Sequence, residues 1–176
     1  VLLDFASQTI LPQKIVIIEQ NEEKNTSTQL DYLTTQSWPF NIAHDFIHQT
    51  GACNARNKAI LQTSAIWVLF FDDDNRFDND IMERVSIAIK STDSKVLNLA
   101  YLQKGEVEIG TSFKQWESFG SGCSIVHREI VEGCKFDMAL EHGYGEDVDY
   151  GMQIRQAGYD VIYAPQIQLL HLTITI

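Results

Sequence analysis

Residues 65–71 read AIWVLFF and stop abruptly at Asp72, Asp73 and Asp74. A short apolar run rich in β-branched and aromatic residues, closed by polar ones, predicts a strand. This run is the strongest strand signal in the chain and is predicted to be its most buried strand. The sharp end matters as much as the body. Open α/β sheets bind ligands beyond the carboxyl ends of their strands, which is where the three carboxylates fall. Adjacent acids repel one another, so a cation beside the cluster is physically plausible. Magnesium and manganese take oxygen ligands and bridge one or two carboxylates to substrate phosphates. If extended geometry carries through the acids, Asp72 and Asp74 point one way and Asp73 the other. A solvated acidic turn is the alternative reading.

The rest of the chain alternates between the two periodicities. Residues 1–9 look like a helix end, with Pro12 in the next loop. Residues 14–18, KIVII, form a β-branched run typical of a buried strand. Residues 19–29 are a polar loop, 30–35 suggest a short helix, and 41–46 are ambiguous but fit a short strand. Residues 51–61 predict a helix whose Ala52, Ala55 and Ala59 let it lie close to a sheet. Residues 78–90 predict another, with Ile81, Val85 and Ala88 at helical spacing. Strands follow at 96–102 and 122–127, separated by a polar, irregular stretch over 103–118. A helix over 148–157 is closed by Gly158. A strand over 160–164 is expected to end at Pro165, before a last apolar stretch over 167–172. Strands alternating with helices predict an α/β fold with a mostly parallel central sheet flanked by helices. No repeat, low-complexity stretch or linker divides residues 1–176, so a single domain is expected.

Composition excludes some partners. The formal charge is −11, from 13 basic and 24 acidic residues. A field of that sign repels DNA and RNA, although a small phosphorylated ligand is compatible where a metal supplies local positive charge. No apolar run approaches the roughly 18 residues that span a bilayer. The cysteines, Cys53, Cys123 and Cys134, are odd in number and sparse. They argue against a disulfide framework and for a reducing compartment. The expected location is therefore the cytoplasm, including the inner face of a membrane. A zinc site built from Cys123, His127, Cys134 and His142 would match no common ligand spacing. A calcium loop over Asp72, Asp74, Asp78, Asp80 and Glu83 fails because Phe77 takes the glycine slot and Arg76 a ligand slot.

Two further features carry chemistry. Gly145-Glu146-Asp147 opens the helix that runs to residue 157. Acids there are favoured by the helix dipole, by roughly 0.3–1 kcal/mol, so capping alone accounts for them. Arg56, within GACNARN (51–57), suits planar contacts to phosphate, although taken alone it reads first as a surface arginine.

Taken in order, the segments QTILPQKIVIIEQN (8–21), GACNARN (51–57), VLFFDDDN (68–75), FGSGCSIVHREI (119–130) and GEDVDYGMQIRQAGYDVIYAP (145–165) resemble the family 2 glycosyltransferases of the GT-A fold. That resemblance implies a Rossmann-like sheet and a nucleoside-diphosphate-sugar donor, with a glycan or lipid-linked sugar as acceptor. Asp72 and Asp74 look like the two ends of the family's Asp-X-Asp motif, with Asp73 between them in the donor site. The first acid would contact the nucleoside, and the last would hold Mn2+ or Mg2+ on the diphosphate. Asp147 looks like the catalytic base of the Glu-Asp motif, with Glu146 beside it. Glu19 falls where the family contacts base or ribose, and Arg56 is similar to the arginine of its Ala-Arg-Asn helix. Gly120, Ser121 and Gly122 match the loop beside the acceptor. His171 falls where many members carry a late histidine that joins the metal or diphosphate; an ordinary core histidine is the alternative.

The departures are a loop after Glu19 without the usual serine and aspartate, Lys58 in place of a common glycine, and a start inside the helix that follows the family's first strand. The function implied is inverting transfer of a sugar to an acceptor hydroxyl, in glycan or cell-envelope polysaccharide synthesis. Two rivals stand beside it. A haloacid-dehalogenase-type phosphatase would need a threonine where Arg76 stands. A binding module of the same fold would lack turnover.

Overall fold

The computed structural model of the chain describes residues 1–141 and 144–172. In chain order the elements are α1 (Leu2–Ala6), β1 (Lys14–Gln20), α2 (Tyr32–Thr35), β2 (Asn41–Ile47), α3 (Ala52–Leu61), β3 (Trp67–Phe71), β4 (Asn75–Arg76), α4 (Ile81–Lys90), β5 (Val96–Leu102), β6 (Lys114–Trp116), β7 (Cys123–His127), α5 (Arg128–Gly133), α6 (Glu146–Gln156) and β8 (Val161–His171). A single 3-10 turn covers Met138–Leu140. β1 and β2 form a parallel pair. The larger sheet has the order β3-β7-β5-β8-β4, with β6 also paired to β8.

The sheet is mixed. β5 and β8 are parallel, whereas β7 runs antiparallel to both β3 and β5. The direction follows from the connections. A parallel neighbour needs a long crossover, as between β5 and β8. The chain returns from β5 to β7 without an intervening helix, so β7 pairs antiparallel. Both faces are covered. Alternation along β5 and β7 sends Val96 and Val126 to one side, against Ile130 and Val131 of α5 and Tyr150 and Ile154 of α6. It sends Leu97 and Ile125 to the other side, against Ile81, Val85 and Ala88 of α4.

Four expectations need correction. β3 is not the most buried strand: of its residues only Phe70 is buried. β3 ends the strand order with β7 as its neighbour, and edge position rather than composition decides burial. β1 is half-buried along Ile15–Gln20 for the same reason, with β2 as its partner. The fully enclosed strands are β5, buried from Val96 to Ala100, and β7. Next, the stretch over 103–118 contains β6. Last, Pro165 does not end its strand. The register of β8 on β5 steps from Leu99↔Ala164 to Ala100↔Gln168, so residues 165–167 form a bulge. A bulge is where a sheet tolerates proline.

Candidate active site

The acids after β3 sit in a turn, not in a continued strand. Asp72 N–H donates to the Gly122 carbonyl (3.1 Å), and Asn75 N–H donates to the Asp72 carbonyl (3.4 Å). Strict alternation is therefore lost, and the three carboxylates have three different surroundings. Asp73 is exposed. Asp72 lines a cavity of about 440 Å3 together with Arg56, Glu146, Asp147 and the loop Gly120 to Gly122. Asp74 lies against His171 instead.

Asp72 is placed by two features. Arg56 Nη2 lies 3.7 Å from its Oδ1. On its other side Gly122 presents no side chain, and a Cβ there would sit 2.5 Å from Asp72 Oδ2. Burial pushes the Asp72 carboxyl above its ordinary value; Arg56 opposes the shift, and Asp74, Asp147 and Asp73 add to it. The same pocket raises Tyr101 through burial and through Asp72 and Asp74. Burial and Asp72 push the Cys123 thiol up to about 12.

The local sequence around Arg56 explains its aim. Asn57 Nδ2 donates to the Phe136 carbonyl (2.7 Å), and Phe136 N–H donates back to Asn57 Oδ1 (3.1 Å). This clamp sets the Phe136 ring under the guanidinium, 5.4 Å from the ring centre. At the start of α3, Glu141 accepts from the Cys53 and Asn54 N–H groups at 2.7 and 2.9 Å. Gly51, with φ of 129°, leaves room for it, since a Cβ would fall 2.0 Å from the Glu141 carboxyl carbon. Arg56 Nη1 then lies 3.8 Å from Glu146 Oε1. One arginine stands among Asp72, Glu146 and, across the same cavity, Asp147.

Asp147 is held by one oxygen. Its Oδ2 accepts from Ser121 N–H (3.1 Å), while its Oδ1 is buried without a partner. Glu146 instead turns back to its own helix end, where Oε2 accepts from Gly145 N–H (3.2 Å). The loop that fixes Asp147 is itself fixed from the sheet. Asn98 Nδ2 donates to the Ser118 carbonyl (2.9 Å), and the Ser124 hydroxyl lies 2.6 Å from Asn98 Oδ1.

The family described as Glycosyl transferase family 2 has a model that matches residues 1–131. The chain belongs to that family. Among solved structures, this glycosyltransferase-family chain is similar to S. aureus TarS 1–349 in complex with UDP. The identity is 19%, over 93% of this chain and 55% of that one, with a TM-score of 0.69. It is likewise similar to TarS 1–349 in complex with UDP-GlcNAc, at 18% identity over 93% and 53% of the two chains, with a TM-score of 0.70. The chain thus spans about half the length of these structures. At such identity the likeness is one of fold, and the fold is GT-A. No curated protein matches the chain. The family match stops before Glu146 and Asp147, so their place in the site rests on geometry.

Asp74, His171 and Glu19, also singled out in the sequence, do not line the cavity. His171 Nε2 is 2.8 Å from Asp74 Oδ2, and its ring stacks on Tyr101, centroids 4.7 Å apart. Asp74 Oδ1 and His171 Nδ1 are buried without partners. No group of three or more His, Cys, Asp or Glu among the described residues is placed to hold a metal by itself. Asp74 and His171 nevertheless offer an oxygen and a nitrogen; the carboxylate suits Mn2+ or Mg2+, and the imidazole nitrogen suits Mn2+ better than the oxygen-seeking Mg2+.

Glu19 is occupied elsewhere. It accepts from Thr28 Oγ1 (2.5 Å) and Gln29 N–H (3.0 Å) and contacts His44 (3.0 Å). Burial alone would raise it, but these contacts hold it below its ordinary value. Cys123 and Cys134 belong to cores on opposite faces of the sheet and form no zinc site; His142 lies outside the described residues. Sequence reasoning missed Asn98, Tyr101, Trp116 and Tyr163, all of which line the cavity. A polar residue inside the apolar run VLNLAYL was a signal for Asn98, because buried amides need partners. Nothing marked Trp116.

Proposed function

We propose that this chain is the catalytic core of an inverting glycosyltransferase that works as one domain. It would move a sugar from a nucleoside-diphosphate sugar to a hydroxyl of a glycan or lipid-linked sugar. One observation carries the reading. Asp147 has one oxygen fixed by Ser121 N–H and one buried oxygen free, and it shares a cavity with Asp72 and Arg56.

Asp147 Oδ1 takes the proton of the acceptor hydroxyl as that oxygen attacks the anomeric carbon. General-base help of this kind contributes roughly 10²–10⁴-fold. The nucleoside diphosphate leaves on the opposite side of the carbon, so one displacement inverts the centre and needs no protein nucleophile. Arg56 supplies fixed positive charge among the acids, suited to a diphosphate. Asp74 and His171 are the side chains that would hold Mn2+ or Mg2+, and Asp72 adjoins them. A bound cation supplies Lewis-acid stabilisation of the leaving diphosphate. The TarS complexes with UDP and UDP-GlcNAc make uridine nucleotides the first donors to try. The buried free cysteines fit a cytoplasmic setting, and no helix among the described residues is long and apolar enough to cross a membrane.

The test is nucleotide release from a panel of UDP- and dTDP-sugars with manganese, with and without saccharide acceptors. Acceptor-stimulated release and an inverted product anomer by NMR support the reading. Nucleotide binding without release from any donor would make the chain a binding module.

A further inference from the structure

Part of the cavity wall is aromatic, and the reaction above makes no use of it. Trp116, the last residue of β6, pairs in register with Val161 of β8. Its ring stacks diagonally on Tyr163, centroids 4.6 Å apart and planes at 21°. Diagonal neighbours across antiparallel strands are within reach of aromatic side chains. The stack is held from several directions. Lys114 Nζ stands 5.9 Å from the Tyr163 ring centre, and the Tyr163 hydroxyl donates to Glu108 Oε2 (3.1 Å). Next to Trp116, the Glu117 carbonyl accepts from Arg155 of α6.

Despite this bracing, Trp116 is 40% exposed. Stacking on Tyr163 covers one face of the indole and leaves a rigid apolar surface on the cavity wall. An indole face is electron-rich, which suits the weakly positive C–H groups on one side of a pyranose ring. A nucleobase would also stack there. The covalent and hydrogen-bonded ties decide between them. Residues 117–121 run from Trp116 to the N–H that holds Asp147, and Arg155 of the helix that carries Asp147 bonds to Glu117, next after β6. Both ties lead to the proton acceptor.

We propose that Trp116, backed by Tyr163, seats the ring of the acceptor, so that the acceptor is a pyranoside with an apolar ring face and not an open-chain polyol. This rests on the glycosyl-transfer reading. The test uses Trp38→Phe and Trp67→Phe together, which leave Trp116 as the sole tryptophan of three. Cellobiose and chitobiose are titrated against its fluorescence, with glucitol as the open-chain control. The disaccharides are expected to change the emission saturably, and glucitol is not. In the parent background Trp116→Ala raises the KM of an accepting disaccharide by roughly tenfold, the scale of a lost aromatic contact. UDP affinity stays at the parental value, the melting temperature falls by only a few degrees for the lost stack on Tyr163, and Trp116→Phe recovers part of both losses. No emission change with either disaccharide overturns the proposal. So does an unchanged KM in Trp116→Ala, or an equal loss of UDP affinity, which would make the platform a base seat. Saturable disaccharide binding without transfer to any acceptor would keep the platform and remove the glycosyl-transfer reading. Normal transfer with an indifferent Trp116→Ala would do the reverse.

Discussion

The cavity has two walls of different chemistry. One is ionic: Asp72, Arg56, Glu146 and Asp147, brought from a strand end and two helices. The other is aromatic: Trp116 on Tyr163, carried on an edge strand and its neighbour. The ionic wall holds two buried atoms without a hydrogen-bond partner, Asp147 Oδ1 and Arg56 Nη1. Such atoms are costly unless a ligand satisfies them. The aromatic wall leaves no such debt and offers only surface. The difference separates two tasks: the ionic wall governs donor binding and turnover, and the aromatic wall governs which acceptor is held.

Substitutions in the ionic wall can break that division. The largest effect is expected from Asp147→Asn, which keeps the shape but removes the proton acceptor. Transfer should fall by roughly 10²–10⁴-fold, with UDP affinity and acceptor KM near parental values. Glu146→Gln should be milder, since Glu146 is turned toward Gly145. If Glu146→Gln abolishes turnover and Asp147→Asn does not, the base is misassigned. Next comes Asp74→Ala. In the parent, manganese should strengthen UDP binding measured by calorimetry. The variant should lose that gain, on the order of tenfold, as for a removed metal-site partner. Unchanged affinity in chelator would remove the cation from the site altogether. Smaller still, Gly122→Ala puts a methyl 2.5 Å from Asp72 Oδ2. The flexible carboxylate can swing aside, so the melting temperature should move by no more than about 2 °C while nucleotide affinity falls several-fold.

The smallest effect is one of stability. The Asp72 carboxyl is raised by burial above its ordinary value of 3.8. A folded-state value above the unfolded one means that folding stability falls as pH rises through that interval. The cost is absent below the ordinary value and complete above the raised one. Asp72→Asn removes it and should raise the melting temperature slightly at pH 7. The gain over the parent should shrink as pH drops toward 4. A gain that is the same at both pH values would mean that desolvation of Asp72 is not its source.

The ionic wall was legible in the sequence because it is written in clusters: three acids after an apolar run, two acids at a helix start, an arginine between asparagines. The aromatic wall was not. Lys114, Gln115 and Trp116 carry too little periodicity to announce a strand, and β6 exists only because β8 offers it an edge. The fold shows the same split. The seven residues of β5 were located to the residue, since VLNLAYL is bounded on both sides by polar segments. Burial was misjudged for β1 and β3 because β-branching marks a strand but not its rank in a sheet. Glu19 was read as the start of a loop but lies within β1, and which partners occupy its carboxylate depends on the loop over 21–29 folding back. Local pattern carries no record of that.

The bulge at Pro165 has a consequence for how β8 serves both ends of the molecule. Tyr163, before it, stands opposite Asn98, while His171, after it, stands opposite Asn75. Three surplus residues, 165–167, lie between the two frames. The bulge is overlaid by the segment that carries Glu108 and Gly110, where the Glu108 carbonyl accepts from Gln168 Nε2 (2.9 Å). β8 is thus two rulers joined by a slack link, and a change of length within the link displaces His171 while Tyr163 keeps its place. Insertions or deletions there can retune the spacing between the two ends without rewriting either.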